Sequence, residues 1–308
     1  MAELRAPGVC PEGPPGAFEV TAVGLRTRSW DADEQLLADL GRYIRHMRNQ
    51  SEWPEELARS FESAHACLEK LAHVDAKDVL ALQETWTEAD TDVLRRLDPY
   101  ADGFVEGELD TEAFRQRLPS AGQFADIVQE RAFAMVGASD SLLEKRPGPE
   151  IDAHEVVVRF NDHVKDNLDE AVTGTKTTMH VTCDASGPMG DDGVTEFDLE
   201  TRAPWSSYCN KMNINGVFYH PNITYYIMRP TALCAMDSEF SFFTRGFMFY
   251  WLVGRLFDQP DMYGFDGDAH YDNNQVVWES FLHFEHAVYR LVRGELEIPA
   301  DVEPLDAT

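Results

Sequence analysis

The sequence predicts an α/β fold, a parallel sheet flanked by helices, preceded by a helical N-terminal region. Three observations predict it. Two short apolar runs, Phe133-Ala134-Met135-Val136 and Glu155 to Phe160, read as buried strands, the first stopping at Gly137 and the second at Asn161. From Arg131 onward short apolar strands alternate with helical stretches, and that alternation implies parallel pairing through right-handed crossovers. Ahead of Arg131 the apolar residues recur at helical spacing instead.

Taken in order, residues 1–25 are Pro/Gly-rich at their start and read as a mobile leader. A helix is expected from Ser29, capped by Ser29 or Asp31, with Leu36, Leu37, Leu40, Tyr43, Ile44 and Met47 on its apolar side. A second begins near Pro54 and aligns Leu57, Phe61, Leu68 and Leu71. A third covers Val79 to Leu97, and a short one Thr111 to Leu118, stopped by Pro119. Asp98 to Leu109 resembles a calcium loop faintly. Tyr100 and Leu109 stand where oxygen ligands belong, so a surface turn is the better reading. Asp191-Asp192 lies in a Gly-rich acidic loop and reads as a solvated turn rather than a metal pair. Trp205 to Asn215 reads as irregular, and a place for acceptor contacts. Val217 to Tyr219 and Thr224 to Ile227 read as strands, Phe243 to Phe257 as a buried helix, Asp261 to Tyr263 as a strand, and Glu279 to Arg293 as a final amphipathic helix.

With 308 residues the chain has room for one large α/β domain plus a helical part, and 44% hydrophobic residues suit a packed core. A net charge of −29 argues against nucleic acid or an anionic membrane surface as partner. There is no run of about 18 apolar residues, so no transmembrane helix is expected. The first 16 residues lack the apolar segment of a signal peptide. The five cysteines show no metal-ligand spacing and suggest no obligatory disulfide framework.

A strand end followed by Gly and small polar residues is where α/β sheets bind nucleotides. Around that point the motifs accumulate: Val136-Gly137, Ser139, Leu142, Gly148-Pro149-Glu150-Ile151-Asp152, His154, Val158-Arg159-Phe160-Asn161 and Gly174-Thr175-Lys176-Thr177-Thr178. In this order they resemble the large sialylmotif of the animal-type sialyltransferases, glycosyltransferase family 29. Thr244-Arg245-Gly246, an apolar helix and Tyr263-Gly264-Phe265 resemble the family's small motif, and His270-Tyr271-Asp272 resembles its third. The last family motif is His, four residues, then Glu. Glu285 matches the Glu, but position 280 is Ser, and His283 and His286 stand nearby. The resemblance covers about Leu118 to Val292.

The resemblance implies a Rossmann-like, GT-A-like variant of the α/β fold in residues 119–300, a helical N-terminal extension over 26–118, and a tail from 301. It implies an enzyme that moves an acidic sugar from a CMP donor to a glycan hydroxyl with inversion, without metal or other cofactor. Its partners would be a CMP-activated acidic sugar and a glycan acceptor. Ser139, Ser141, Asn161, Thr244, Arg245 and Gly246 would bind the donor. His270 would hold the phosphate, where a protonated imidazole donates a charge-assisted hydrogen bond. His283 would be the base on the acceptor hydroxyl.

Alternatives stay open beside these roles. Ser139, Ser141 and Thr244 are residues that commonly cap turns, and His270 a common surface residue. Ala138 stands where the family has an asparagine, which removes a contact to the donor. With Ser280 it favours the alternative of a catalytically inactive descendant that binds a nucleotide or glycan. A third reading is transfer of another CMP-activated acid sugar. The family's two motif cysteines, which form a disulfide there, fall on Phe133 and Phe257 here. Either the two rings pack together in place of the disulfide, or they are unrelated core residues. The family is normally anchored in the Golgi by an N-terminal helix. No such anchor is read here, so the expectation is a soluble protein or a truncated start.

Overall fold

The computed structural model describes residues 30–50, 53–72, 80–97, 115–116, 118–128, 131–160, 169–182, 205–208, 224–225, 229, 231, 243–252, 254, 260–266, 279–299 and 302. Its frame is a parallel sheet of six strands: β1 (Phe133–Val136), β2 (Val156–Phe160), β3 (Met179–Thr182), β4 (Trp205–Tyr208), β5 (Thr224–Tyr225) and β6 (Asp261–Tyr263). The order across the sheet is β5-β4-β3-β2-β1-β6. All five pairings are parallel, with Met135 opposite Val158 on one side of β1 and Met262 on the other. The sheet therefore turns about β1: the chain runs outward through β2 to β5, then returns to place β6 on the other side of β1.

Side chains alternate between the two faces of the sheet. Phe133, Met135, Val156, Val158, Phe160 and Met179 join one apolar cluster. Ala134, Val136 and Val157 join a second, smaller one with Leu142, Ile151 and Val172. Both faces are covered, and both β1 and β2 are buried along their whole length. That is why their sequences read as continuous apolar runs rather than as alternating ones.

The smaller cluster lies under two short helices, α5 (Ser141–Lys145) and α6 (Gly148–Ala153). The larger receives α7 (Arg245–Leu252) and α8 (Glu279–Val292). It also receives the N-terminal helices α1 (Trp30–Arg48) and α2 (Glu55–Ala72), which pack on each other and on α8. Leu36, Leu37, Leu40, Ile44, Phe61, Leu68 and Leu71 are buried in it, so the apolar stripes of both helices face one core. Phe61 meets Phe284 of α8 edge-on, with ring centroids 5.3 Å apart. Phe133 lies flat over Phe249 at 6.3 Å. Its proposed neighbour Phe257 lies outside the described residues.

Several elements differ from the sequence reading. The helix expected from Val79 to Leu97 begins only at Glu88, as α3 (Glu88–Leu97). The reason is a capping box. Thr87 N–H donates to Asp90 Oδ2 at 2.9 Å, and Asp90 N–H donates back to Thr87 Oγ1 at 3.3 Å. Upstream, Thr85 Oγ1 takes the Leu82 N–H and gives its own proton to Leu80 O, which closes a turn. A further helix, α4 (Ala121–Val128), follows the same logic, with Ser120 and Gln123 exchanging backbone-to-side-chain bonds at 2.9 and 3.1 Å. The stretch expected to be irregular from Trp205 holds β4, paired on both sides. Its Trp-Ser-Ser-Tyr sequence has no apolar run to announce it. No described helix is long and apolar enough to cross a membrane.

A buried ion pair ties the start of α3 to Arg229. Arg229 reaches Asp90 Oδ2 through Nε at 3.1 Å and Nη2 at 2.8 Å, and Asp90 is fully buried. Thr231 adds its N–H and its hydroxyl to Asp90 Oδ1.

Candidate functional site

The C-terminal ends of β1 and β6 lie side by side, and the large and small motifs meet there. Past the last strand residues the pairing continues through the turns. Gly137 N–H donates to Tyr263 O at 2.7 Å, and Ser139 N–H to Gly264 O at 3.0 Å. The two chains come so close that a Cβ on Gly137 would stand 2.3 Å from the Gly264 carbonyl oxygen. Gly264 has φ +71°, a left-handed conformation, and a Cβ there would press on Leu142.

Phe265, next along, holds the third strand end and the small motif in place. Its ring meets Phe160, the last residue of β2, at 5.9 Å. It also meets Tyr289 of α8 at 5.4 Å. Gly246 lies directly against it: a Cβ there would fall 2.7 Å from Phe265 Cε1. Small-motif residue Gly246, large-motif residue Gly137 and the Tyr263-Gly264-Phe265 turn are thus one packed unit.

Thr244 caps α7, taking the Phe247 N–H on Oγ1 at 3.3 Å. Its own N–H and hydroxyl go to Glu285 of α8, both at 2.6 Å. Glu285 is 2% exposed. Burial pushes its carboxyl up to about 8, and the two bonds from Thr244 only partly oppose that. Burial likewise holds the Tyr289 hydroxyl well above its ordinary value, with Glu285 adding to the effect.

On the β1 side a hydroxyl chain runs toward Asp266. Ser139 Oγ accepts the Ser141 N–H at 3.2 Å and lies 3.2 Å from Ser141 Oγ and 3.3 Å from Asp140 Oδ1. The Ser141 hydroxyl donates to Asp266 Oδ1, and the Lys145 ammonium to Asp266 Oδ2. Burial alone raises the Asp266 pKa, but these two donors outweigh it and hold the carboxyl below the usual carboxylate range.

Most of the remaining large motif is framework. Asp152 accepts the Thr175 and Lys176 N–H groups at 2.9 to 3.0 Å and so fixes the Gly174–Lys176 turn. Buried Arg159 reaches Lys176 O, Thr177 Oγ1 and Thr173 O at 2.8 to 3.1 Å. His154 Nε2 lies 2.8 Å from Asp261 Oδ2, and Tyr263 donates its hydroxyl to Glu150 Oε1 at 2.9 Å. Burial and then that bond hold the Tyr263 phenol well above its ordinary value.

Of the residues the sequence singled out, Ser139, Ser141, Thr244 and Gly246 are brought together at these strand ends. Asn161, His270 and Phe257 lie outside the described residues, as do Asp191-Asp192 and the whole Asp98–Leu109 loop; Arg245 is described in its backbone alone. His283 is exposed on α8, while Ala287, four residues on, is 4% exposed and packed in the core. Two residues of the site escaped sequence reading, Lys145 and Asp266. Both are surface-accessible and 121 residues apart, so neither periodicity nor spacing marks them. Among the described residues no group of three or more His, Cys, Asp or Glu is placed to hold a metal ion.

Comparison with known proteins gives three findings. The family model for glycosyltransferase family 29 (sialyltransferase) matches residues 111–196. The human CMP-N-acetylneuraminate-beta-galactosamide-alpha-2,3-sialyltransferase 1 is 27% identical over 170 residues, 49% of this chain and 48% of the relative. The chain thus spans about half the length of that curated relative. Two solved structures of a mammalian sialyltransferase, one in complex with Gal-beta-1-3GalNAc-ortho-nitrophenol, align at 19% identity with TM-scores of 0.42 and 0.43. Each alignment covers 68% of this chain, and 84% and 83% of the respective solved chain. It is residues 111–196 of the chain that are similar to glycosyltransferase family 29, the sialyltransferases.

Proposed function

We propose that the protein moves an acidic sugar from a CMP donor to a glycan hydroxyl with inversion. One observation carries this reading: the large-motif turn at Gly137–Ser141 and the small-motif turn at Thr244–Gly246 converge about Phe265 at the C-terminal ends of β1 and β6. Parallel α/β sheets bind nucleotides at such strand ends. On this reading residues 119–300 form a GT-A-like nucleotide-sugar domain, and the helices of 26–118 are an extension packed onto it.

The chemistry sets what the site must supply. CMP leaves as an anion while the sugar gains positive character, so the leaving phosphate needs hydrogen-bond donors and the acceptor hydroxyl needs a base. Ser139, Ser141, Asn161, Thr244, Arg245 and Gly246 are assigned to the nucleotide, His270 to the phosphate and His283 to the base. Helix α8 joins two of these tasks. It turns Glu285 inward to fix Thr244 and presents His283 on its exposed side. The transfer as proposed uses no metal and no bound cofactor, and its partners are the CMP-activated sugar and a glycan acceptor.

Incubation with CMP-sialic acid and a panel of glycan acceptors, with CMP release and product linkage as readouts, tests the reading. CMP release that requires an acceptor is expected. His283→Ala abolishes transfer while calorimetry still shows CMP binding, and His286→Ala is tolerated. No CMP release from any acidic-sugar donor overturns the enzymatic reading.

A further inference from the structure

Phe284 and Glu285 of α8 meet Phe243 and Thr244 as a matched pair. Glu285 takes the Thr244 N–H and hydroxyl, while the Phe284 and Phe243 rings pack with centroids 6.0 Å apart. The turn that leads into α7 is thus gripped at two successive residues by two successive residues of α8. Such a grip is only as well placed as α8 itself. Hydrogen bonds weaken steeply once their angles open, so a small roll or slide of the helix loosens the hold on Thr244.

Helix α2 backs α8 at this point. Phe61 meets Phe284 edge-on, with centroids 5.3 Å apart and planes at 80°. Trp53 in turn meets Phe61 edge-on at 5.2 Å and 77°. Phe61 and Phe284 are both buried. An edge-on aromatic contact is directional, because the positive rim of one ring faces the negative face of the other. It therefore sets orientation as well as spacing. The path from α2 to the small motif is two contacts long: Phe61 to Phe284, then Glu285 to Thr244. Phe61 lies outside residues 111–196, the segment similar to family 29.

Resting on the proposed reading of the Thr244–Gly246 turn as part of a CMP-sugar site, we propose that Phe61 is a positioning residue for donor binding. It sets where α8 holds Thr244, and through it the N-terminal helices become a working part of the site. Its action is indirect: Phe61 orients Phe284, and Glu285, the next residue, carries that orientation to Thr244.

Calorimetry on the full chain with CMP as the probe separates position from stability. An unfolded fraction lowers the stoichiometry of binding and leaves the dissociation constant of the folded fraction unchanged. Phe61→Leu removes the ring and keeps an apolar side chain. It is expected to weaken CMP binding by about threefold to tenfold, the scale on which contacts remote from a ligand act. His65→Ala is the control on the same helix. His65 Nε2 lies 2.9 Å from the Leu37 carbonyl oxygen of α1, so its loss loosens α2 and leaves the Phe61–Phe284 contact in place. That variant should lower the melting temperature but keep the dissociation constant within about twofold, as an independent site does. In a Thr244→Ala background, Phe61→Leu should add less than about twofold, because two changes on one path are not additive. If Phe61→Leu does not fold, Phe61→Met, whose flexible chain fills the space without a ring, makes the same comparison. An unchanged dissociation constant in the Phe61 variant overturns the proposal while CMP binding itself stands. An equal weakening by His65→Ala overturns it too, because the effect is then general loosening. So does full additivity with Thr244→Ala, which routes the effect elsewhere. No CMP binding by the unmutated protein overturns the proposed function, and this inference with it.

Discussion

Glu285 holds Thr244 by both its backbone N–H and its hydroxyl, at 2.6 Å each, across 41 residues of sequence. The bond ties the start of α7 to the middle of α8, and through Gly246 and Phe265 to the end of β6. A buried carboxyl in this setting is neutral up to about pH 8. In the unfolded chain its ordinary value is 4.5. The folded protein therefore binds the extra proton between those values. Stability from this group is complete below about pH 4.5 and is lost as pH rises through about 8. Melting temperatures measured across pH 5 to about 9 are expected to fall with rising pH from this cause. Glu285→Gln mimics the neutral acid: its oxygen accepts the Thr244 N–H and its amide donates to the Thr244 hydroxyl. The variant should flatten that slope. An identical slope in both proteins assigns it to another group.

Gly246→Ala should separate the site from the fold. The added Cβ meets Phe265 at 2.7 Å and moves the ring that fills the space between the two motif turns. Overpacking of this kind costs about 1–3 kcal/mol. CMP affinity should drop by about tenfold or more, and circular dichroism should keep its helical and strand signal. Unchanged affinity removes Gly246 from the donor site.

Asp152→Ala should do the reverse. Its carboxylate takes three contacts from the Thr175 and Lys176 N–H groups and none from the residues assigned to the donor. Loss of hydrogen bonds to a charged group costs about 1.5–3 kcal/mol. Denaturant unfolding should show that loss. The KM for the donor should stay within about twofold, because the turn it holds lies on the framework side of β2 and β3.

Asp90→Ala removes the carboxylate that Arg229 faces inside the protein, at 2.8 Å and 0% exposure. Breaking a buried pair from one side costs about 3–5 kcal/mol. Replacing Asp90 with Asn leaves one accepting oxygen, for either the Thr231 donors or the Thr87 donors, and turns an NH2 toward the other, so it should recover only part of it. A change within 0.5 kcal/mol, typical of surface sites, contradicts the buried pairing.

The sequence by itself determined the parallel α/β scaffold and the order of the motifs along it. Strands β1 and β2 are buried on both faces, so each is an unbroken apolar run, and the stripes of α1 and α2 repeat at helical spacing. Those signals are local, and a single segment carries each. The capping residues Thr87 and Ser120 were local signals too, but they compete with longer apolar patterns, and β4, with two serines in four residues, offered no pattern at all. Only the tertiary structure decided that β6 returns to the free side of β1. That single pairing brings Gly264 onto Gly137 and Asp266 onto Ser141, 125 residues away. Contacts between surface turns leave no periodic mark, because their geometry comes from the register of buried strands rather than from the residues that touch. The same holds for Glu285: its place on α8 is readable, but its bond to Thr244 depends on how α7 and α8 pack over the core.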